Sequence, residues 1–323
     1  MSIDTSHLAI YPKTLFPYAT AAAERVVNAG GRFVYYTTAD TANQILRKRQ
    51  IWMRNTRVMN DFMEVDHGLQ CLKDAYASEA GSSLKANMER HHAGITGEFE
   101  NLFNGWIPKI RSGTFVTCLS EHSSAEDSFG RLSMWRAYGG TAGVALVFDG
   151  GVLIRPSDAL AAYSSPVAYI DGLGMQQEMA AIAAAIAREP QLFDQTTREE
   201  ALGSLFHMFR FAAVCTKHPA FSEEQEWRVV AMPSLSSSLL VANEVETIGG
   251  VPQQVLKIPL QDQPDQGLIG LSPATLIDKV LIGPCEHADV IAQAMQEALA
   301  MAGVPNPNER IVFTGIPLRP NQR

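Results

Sequence analysis

Charged side chains crowd one short segment of the chain, EEQEWR from Glu223 to Arg228. Three carboxylates within four positions repel one another, so this spacing is costly unless a cation or a ligand engages them. The residues that follow, VVAM, are typical of a strand, and side chains alternate along a strand. We therefore expect Glu224, Glu226 and Arg228 to share one strand face that meets solvent or a cleft. An edge strand with a surface ladder of paired charges is the alternative.

A second group of residues suited to ligand binding lies in the segment LSMWRAYG, residues 132–139. Trp135 and Tyr138 are three positions apart, so they share a face if the segment is helical, and Arg136 lies beside them. Two aromatic rings and a guanidinium suit a planar, charged ligand, through stacking and bidentate bonds to phosphate. A helix that packs on the core through its two aromatic residues explains the same pattern equally well.

Three other places hold polar or aromatic side chains that a ligand could use. Tyr35, Tyr36 and Thr37 end a predicted strand, and an alternating strand with one aromatic face explains them on composition alone. Asn60 and Asp61 form Asx turns readily, which explains them without a ligand. The remaining candidates are polar residues near these clusters or at the C-terminus: Glu64, Ser120, Lys217 and Arg319.

Several common catalytic motifs are missing from the sequence. The phosphate loop of P-loop enzymes, the glycine-rich turn of Rossmann folds and the nucleophile elbow of α/β-hydrolases have no match. The HExxH motif and paired CxxC ligands are also missing, so we expect no metal site. The four cysteines, at positions 71, 118, 215 and 285, are too scattered for a disulfide framework.

The composition is that of an ordinary globular protein, with 323 residues of which 46% are hydrophobic and 19% charged. Asp and Glu number 34 against 26 Lys and Arg, a net charge of −8 that argues against broad binding to a phosphate backbone. No apolar stretch reaches about 18 residues, and the first residues lack the pattern of a signal peptide. We expect a cytoplasmic protein without membrane contact.

The predicted elements around these clusters do not alternate regularly between strand and helix, and several strands lie close together in sequence. This order favours an α+β fold over a doubly wound parallel sheet. We predict a helical N-terminal extension over 1–31 and a single α+β domain over 32–323, with helical insertions at about 67–107 and 172–216. The elements that would position the clusters are strands at 32–38, 114–120, 143–149 and 225–232, a short helix at 130–138, and a hairpin or mobile loop at 234–253.

The clusters, taken in order, resemble a widespread bacterial family catalogued as a domain of unknown function. The pattern of that family runs HYTS, LWxS, NDxxE, CFSE, LSxWRxYG, KHxxFxEExEWR and IPxR. The matching segments here are YYTT (35–38), IWMR (51–54), NDFME (60–64), CLSE (118–121), LSMWRAYG (132–139), KHPAFSEEQEWR (217–228) and IPLR (316–319). The resemblance rests on the number and order of these matches, which span nearly the whole chain.

A more distant resemblance links the chain to ADP-ribosyltransferases, including the DNA-modifying toxins of bacteria. Those enzymes often carry a His or Arg on the first strand, a small hydroxyl residue nearby and a Glu entering a late strand. The resemblance implies a mixed, mainly antiparallel sheet core and NAD as substrate. Tyr35 stands where the His usually lies, Thr37 would contact the ribose or the nicotinamide amide, and Glu226 is the late Glu.

This resemblance implies a chemical role for each cluster. Transfer from NAD passes through an oxocarbenium-like ribosyl cation, which Glu226 would stabilise while Glu224 orients or deprotonates the acceptor. The aromatic rings would stack on nicotinamide or adenine, and a guanidinium would hold the pyrophosphate. The enzyme would be a toxin or anti-phage effector, with a protein or nucleic-acid acceptor and a neutralising partner. The remaining implied NAD contacts are Tyr36, Ser120, Trp135, Arg136, Tyr138 and Arg228.

Two other functions account for the same residues. In a metal-dependent nuclease, Glu64, Asp127 and Glu226 would bind Mg²⁺, and Lys217 would stabilise the phosphoryl charge. In a non-catalytic regulator of a toxin or defence system, the aromatic and charged clusters would only pack or pair in the core. The sequence separates neither of these from NAD chemistry.

Overall fold

The computed structural model describes residues 12–59, 64–155 and 157–317. The strands are β1 (Arg32–Thr38), β2 (Gln50–Asn55), β3 (Phe115–Glu121), β4 (Ala142–Asp149), β5 (Ala162–Pro166), β6 (Ala168–Tyr169), β7 (Thr216–Lys217), β8 (Glu226–Ala231), β9 (Ala242–Ile248), β10 (Val251–Pro259), β11 (Ile277–Cys285) and β12 (Ile311–Phe313). The helices are α1 (Pro12–Leu15), α2 (Pro17–Asn28), α3 (Ala39–Lys48), α4 (Glu64–Ala77), α5 (Glu79–His91), α6 (Ile95–Gly113), α7 (Leu132–Tyr138), α8 (Gly151–Ile154), α9 (Gly172–Arg188), α10 (Pro190–Asp194), α11 (Arg198–Val214), α12 (Pro273–Leu276) and α13 (Ala288–Ala302).

The main sheet is mixed and mainly antiparallel, so the predicted α+β class is confirmed. Its strands run in the order β12-β11-β4-β1-β3-β2-β10-β9, with β8 beside β3 and β5 beside β8. Within this sheet, β11 and β12 are parallel, and the short pair β6 and β7 forms a separate parallel ladder. The Ser-rich segment predicted as a hairpin or loop leads into the hairpin of β9 and β10, which turns at Gly249 and Gly250, both with positive φ.

Strand β3 is the branch point of the sheet. On one side it pairs with β8 over most of its length, from Phe115 to Ser120. On the other side its end pairs with β1, through Val34 opposite Ser120, and its start pairs with β2, through Val116. The second half of β1 therefore leaves β3 while it stays paired with β4. A split opens in the sheet between β1 on one side and β2 and β3 on the other.

The two faces of the sheet carry different cores because side chains alternate along each strand. Val116 and Val230 pack into a cluster built largely from α4, α5, α6, α9 and α11. Trp227 and Val229 point the other way, into a cluster with residues of α2, α3 and α13. The predicted helical segments at 67–107 and 172–216 are thus helices that pack together as one layer over the sheet.

The N-terminal helices pack onto this framework. Pro17 lies at the first position of α2, where its fixed φ suits a helix start. Ala22 and Val26 bury one side of α2, and Arg25 pairs with Glu121 at the end of β3. In the described part of the chain, no helix is both long enough and apolar enough to cross a membrane.

Candidate active site

Three adjacent strands place Val34, Ser120 and Glu226 in one row across the sheet. Val34 of β1 lies opposite Ser120 of β3, and Ser120 lies opposite Glu226 of β8. Ser120 is 3% exposed and Glu226 is 6% exposed. The backbone N–H of Glu226 donates to the hydroxyl oxygen of Tyr169, with 2.8 Å between the two atoms. Because β1 leaves β3 after Val34, this row lies beside the split in the sheet, and the Glu226 carboxylate is at the start of β8.

Two cations hold the carboxylate of Glu226. The Arg228 guanidinium donates from Nε to Oε1 at 2.7 Å and from Nη2 to Oε2 at 3.2 Å. The Lys217 ammonium donates to Oε2 at 3.4 Å. Burial by itself would raise the pKa of Glu226, but Arg228 and Lys217 together lower this pKa to about 2. The group is therefore a carboxylate at neutral pH and has little tendency to bind a proton.

Arg228 lies in the interior, and this corrects the expectation that the charged face of β8 meets solvent or a cleft. The residue is 1% exposed and also donates to the backbone carbonyl of Val214 at the end of α11. The helical layer covers this face of the strand, and β5 pairs along its free side. The alternative of an edge strand with a surface charge ladder is also wrong, because β8 has a neighbour on each side and is buried throughout.

Glu224 reaches the cluster from outside the strand, which corrects the expectation that it shares a strand face with Glu226. It ends the 3₁₀ turn Pro219–Glu224, and Gln225 after it has a left-handed backbone with φ of 44°. The left-handed residue breaks the two-residue alternation before β8 begins. Lys217 nevertheless joins the two acids, since its ammonium donates to Oε2 of Glu224 at 2.7 Å.

Tyr138, from α7, closes the outer side of this acidic pair. Its hydroxyl donates to Oε1 of Glu224 at 3.5 Å. Burial and the nearby charge of Glu224 raise the pKa of Tyr138, so its proton stays on the phenol at neutral pH. The structure therefore brings Tyr138 of the segment 132–139 together with three predicted residues of the segment 217–228: Lys217, Glu224 and Glu226, with Arg228 behind them.

Trp135 is part of the core, and this corrects its prediction as a stacking surface for a ligand. Its side chain is 3% exposed, its indole N–H donates to the carbonyl of Phe129 at 2.7 Å, and its ring packs edge-on against Tyr36. A β-carbon added at Gly283 would lie 2.5 Å from the Trp135 ring. Arg136, the next residue, is exposed on α7.

Replacing Gly283 with alanine tests how tightly the indole is packed. The added methyl group must displace the Trp135 ring, and overpacking of this kind costs about 1–3 kcal/mol. We expect Gly283→Ala to lower the free energy of unfolding by that amount in a urea titration followed by circular dichroism. Gly97→Ala, in α6 with no atom within 4 Å of the added carbon, is the matched control and should not be destabilised.

The two tyrosines of β1 point to opposite faces of the sheet. The hydroxyl oxygen of Tyr36 accepts from the backbone N–H of Arg131 at 2.8 Å, on the face that carries α7. Tyr35 packs with the other core, and burial with a small contribution from Cys118 raises its pKa to about 12. Thr37 is buried beside β4. A single NAD-contacting face therefore does not include both tyrosines.

Arg131 is a residue of the site that the sequence patterns missed. Its guanidinium donates to the backbone carbonyls of Glu223 and Glu224, each at 3.0 Å, to the carboxylate of Glu126 at 2.6 Å, and to the carbonyl of Glu121. These bonds join the end of β3 and the start of α7 to the turn that carries Glu224. Every residue has a backbone carbonyl, so a sequence pattern does not show which carbonyls accept a bond from Arg131. Arg131 also lies one position before the segment 132–139 that drew attention in the sequence.

Removing this guanidinium should loosen the turn. In Arg131→Met we expect faster hydrogen exchange of the amides in residues 220–224, because the two carbonyls lose their shared donor. If Glu224 acts in a reaction, the rate should also fall, by about 10²-fold for a misplacement near 1 Å. Arg90→Met, an equal change at an exposed position of α5, should leave both measurements unchanged. Unaltered exchange in Arg131→Met would contradict this role.

The ligand set predicted for a nuclease is not gathered in the described part of the chain, where no three His, Cys, Asp or Glu side chains converge on a common point. Asp127 belongs to another cluster, with Arg32, Lys279 and His122. The side chain of Glu64 lies outside the described residues, although its backbone begins α4. Three further predicted residues lie outside the described ranges: Asn60, Asp61 and Arg319.

Comparison with known proteins gives one family match. Residues 134–229 match a family model described as a protein of unknown function, DUF2971. No curated protein and no solved structure matches the chain. The matched segment runs from α7 to β8 and contains Tyr138, Lys217, Glu224, Glu226 and Arg228. It covers less than a third of the chain, and it supports a place for this segment in a family of unknown function.

Proposed function

We propose that the chain is an NAD-dependent ADP-ribosyltransferase that binds NAD at the split between β1 and β3. The observation that carries this proposal is the buried, ionised carboxylate of Glu226 at the start of β8. It lies in one row with the hydroxyl residue Ser120 and with the first strand. The resemblance to ADP-ribosyltransferases likewise implies a late Glu that acts near the first strand, and Ser120 is among the NAD contacts that it implies.

Glu226 would stabilise the charge that develops when NAD breaks down. The bond between the ribose C1′ carbon and the nicotinamide nitrogen breaks, its electron pair leaves with nicotinamide, and positive charge develops on the ribose. A carboxylate with a pKa of about 2 stays ionised and attracts this cation. Arg228, Lys217 and the Cys118 thiol donate to its oxygens, and these bonds fix the carboxylate in place beside the proposed ribose position.

Glu224 is suited to receive the proton of the acceptor. Its side chain is 18% exposed, whereas that of Glu226 is 6% exposed, so an acceptor reaches Glu224 first. The acceptor oxygen or nitrogen forms a bond to C1′ and gives its proton to the Glu224 carboxylate. Lys217 donates to both acids and so fixes their separation. When water is the acceptor, the same steps give free ADP-ribose and the enzyme is a glycohydrolase.

A non-catalytic regulator is the second candidate, and the burial of the cluster favours it. Glu226 and Arg228 are both almost inaccessible and pair with each other, which a purely structural ion network also requires. The two candidates differ in one observable: only the enzyme consumes NAD.

Incubation with NAD labelled in its adenylate half tests the proposed function directly. Purified protein is offered cell lysate and total nucleic acid as acceptors, and label is followed in protein, in nucleic acid and in free ADP-ribose. We expect NAD to disappear and label to enter a macromolecule. Label found only in ADP-ribose would identify a glycohydrolase, and intact NAD under every condition would reject the enzyme in favour of the regulator.

Glu224→Gln separates transfer from hydrolysis. The amide cannot take a proton from the acceptor, so transfer to a macromolecule should fall by about 10²–10⁴-fold, the usual contribution of a general base. NAD cleavage that depends on Glu226 should persist at a reduced rate, because the carboxylate of Glu226 is still present. Glu223→Gln, the same change on the exposed neighbour, is the matched control. Equal transfer by these two variants would remove Glu224 from the mechanism.

A further inference from the structure

A large cavity lies behind the candidate active site, on the opposite face of β8. Its volume is about 340 Å³, and its walls include Ala19 and Ala23 of α2, Trp227 and Val229 of β8, and residues 152–155. Trp227 and Val229 alternate along the strand with Glu226 and Arg228, so the cavity and the charged cluster lie back to back.

The cavity walls are mainly apolar. Ser164, one of several polar residues there, already donates its hydroxyl to the carbonyl of Leu153. Among the described residues that line the cavity, Arg155 is the sole charged side chain, and it is exposed, so it lies at the rim. The cavity therefore combines an apolar interior with one cation at its opening.

This size and chemistry suit a small amphipathic ligand. Small-molecule sites usually have volumes of about 300–1,000 Å³, and the cavity falls within that range. An empty apolar cavity leaves its wall atoms without dispersion partners, and even an apolar cavity of about 150 Å³ binds benzene. The interior offers few hydrogen-bonding groups, which disfavours a polar ligand, whereas the guanidinium at the rim favours an anionic head.

We propose that the cavity binds a fatty acid, with its alkyl chain against Trp227 and α2 and its carboxylate at Arg155. The alkyl chain carries no hydrogen-bonding group, so it gives up no hydrogen bonds to water when it enters the cavity. The carboxylate stays at the solvent-exposed rim, where its desolvation cost is small and a charge-assisted bond to the guanidinium is available. This proposal does not depend on NAD chemistry.

Quenching of tryptophan fluorescence by a fatty acid with a terminal bromine tests the proposal. Of the four tryptophans, Trp227 alone lines the cavity. Trp106 and Trp135 belong to other clusters, and the ring of Trp52 lies beside the ammonium groups of Lys48 and Lys257. We expect bromoundecanoate to quench the wild-type protein in a saturable way, and most of this quenching should be lost in Trp227→Phe. Absence of quenching, or equal quenching in Trp227→Phe, would overturn the site.

Three comparisons test the position and head group of the ligand. Ala23→Phe fills the cavity and Arg155→Glu reverses the charge at its rim, and each should weaken binding by about tenfold or more. Arg136→Glu, a charge reversal at an exposed position of α7, should bind the fatty acid as the wild type does. Bromoundecanol should bind more weakly than the acid, and equal binding would overturn the role of Arg155. Circular dichroism verifies folding, and if Ala23→Phe is unfolded, Trp227→Phe and Arg155→Glu decide the result.

Discussion

Glu226→Gln is expected to lower the rate of NAD consumption by about 10²–10³-fold, the usual cost of removing one electrostatic contact to a transition state. The amide keeps the size of the side chain and one oxygen acceptor for Arg228. It loses the negative charge that faces the developing ribosyl cation. The rate of NAD loss under saturating NAD, measured by chromatography of nicotinamide, reports this change directly.

Two further variants make the result of Glu226→Gln interpretable. Glu199→Gln applies the same chemical change to an exposed Glu in the first turn of α11, and it should consume NAD at the wild-type rate. Glu226→Asp keeps a negative charge near Arg228, but its side chain is shorter by one methylene group. This variant should therefore fold, and its rate of NAD consumption should still be below that of the wild type. Wild-type turnover by a folded Glu226→Gln protein would exclude this residue as the catalytic carboxylate.

Arg228→Met should be the most destabilising of the changes considered, with a loss of about 3–5 kcal/mol in the free energy of unfolding. Methionine fills a similar volume, but it leaves the buried carboxylate of Glu226 without its closest cation, with the longer bond from Lys217 and the weak thiol donor of Cys118. The carbonyl of Val214 also loses its donor. Urea denaturation measures the loss, and Arg136→Met, on exposed α7, should change stability by no more than about 0.5 kcal/mol.

A double variant shows whether the loss arises from an unpaired charge. Replacing Glu226 with leucine in the Arg228→Met background removes the stranded carboxylate, and buried ion pairs replaced by apolar residues are often neutral in stability. We expect the double variant to regain much of the stability that Arg228→Met loses, while Lys217 keeps Glu224 as its partner. A further loss in the double variant would instead assign the effect of Arg228→Met to packing.

The elements that hold the site could be predicted from local sequence. The aromatic and β-branched run at 32–38 forms β1 with the same bounds, and the run at 225–232 contains β8. These predictions succeed because β-branched and aromatic side chains fit a pleated, buried surface, and both runs are largely buried in the sheet. The fold class followed from the irregular order of such elements.

Two of the errors concern contacts between distant parts of the chain, and a third concerns one local backbone conformation. Trp135 is buried because Gly283, which has no side chain, leaves room for its ring. The residues next to Trp135 in sequence give no indication of this space. Arg228 is buried because the helical layer covers β8. The alternating charged residues of its segment instead predict a strand face exposed to solvent or a cleft. The left-handed backbone of Gln225 separates Glu224 from the strand, and such a conformation is uncommon for a residue other than glycine. Local sequence patterns therefore predict the strands that carry these residues but not the surroundings of their side chains.

The place of β8 between β3 and β5 also sets when the site can form during synthesis. Both neighbouring strands are made earlier in the chain, and the helices α9 to α11 separate β5 from β8. Until the ribosome has released the residues of β8, Ser120 lacks Glu226 as its partner on the neighbouring strand, and Lys217 lacks the carboxylate of Glu226. Assembly of the carboxylate row is thus a long-range event, and the nascent chain lacks the candidate site until β8 has been made.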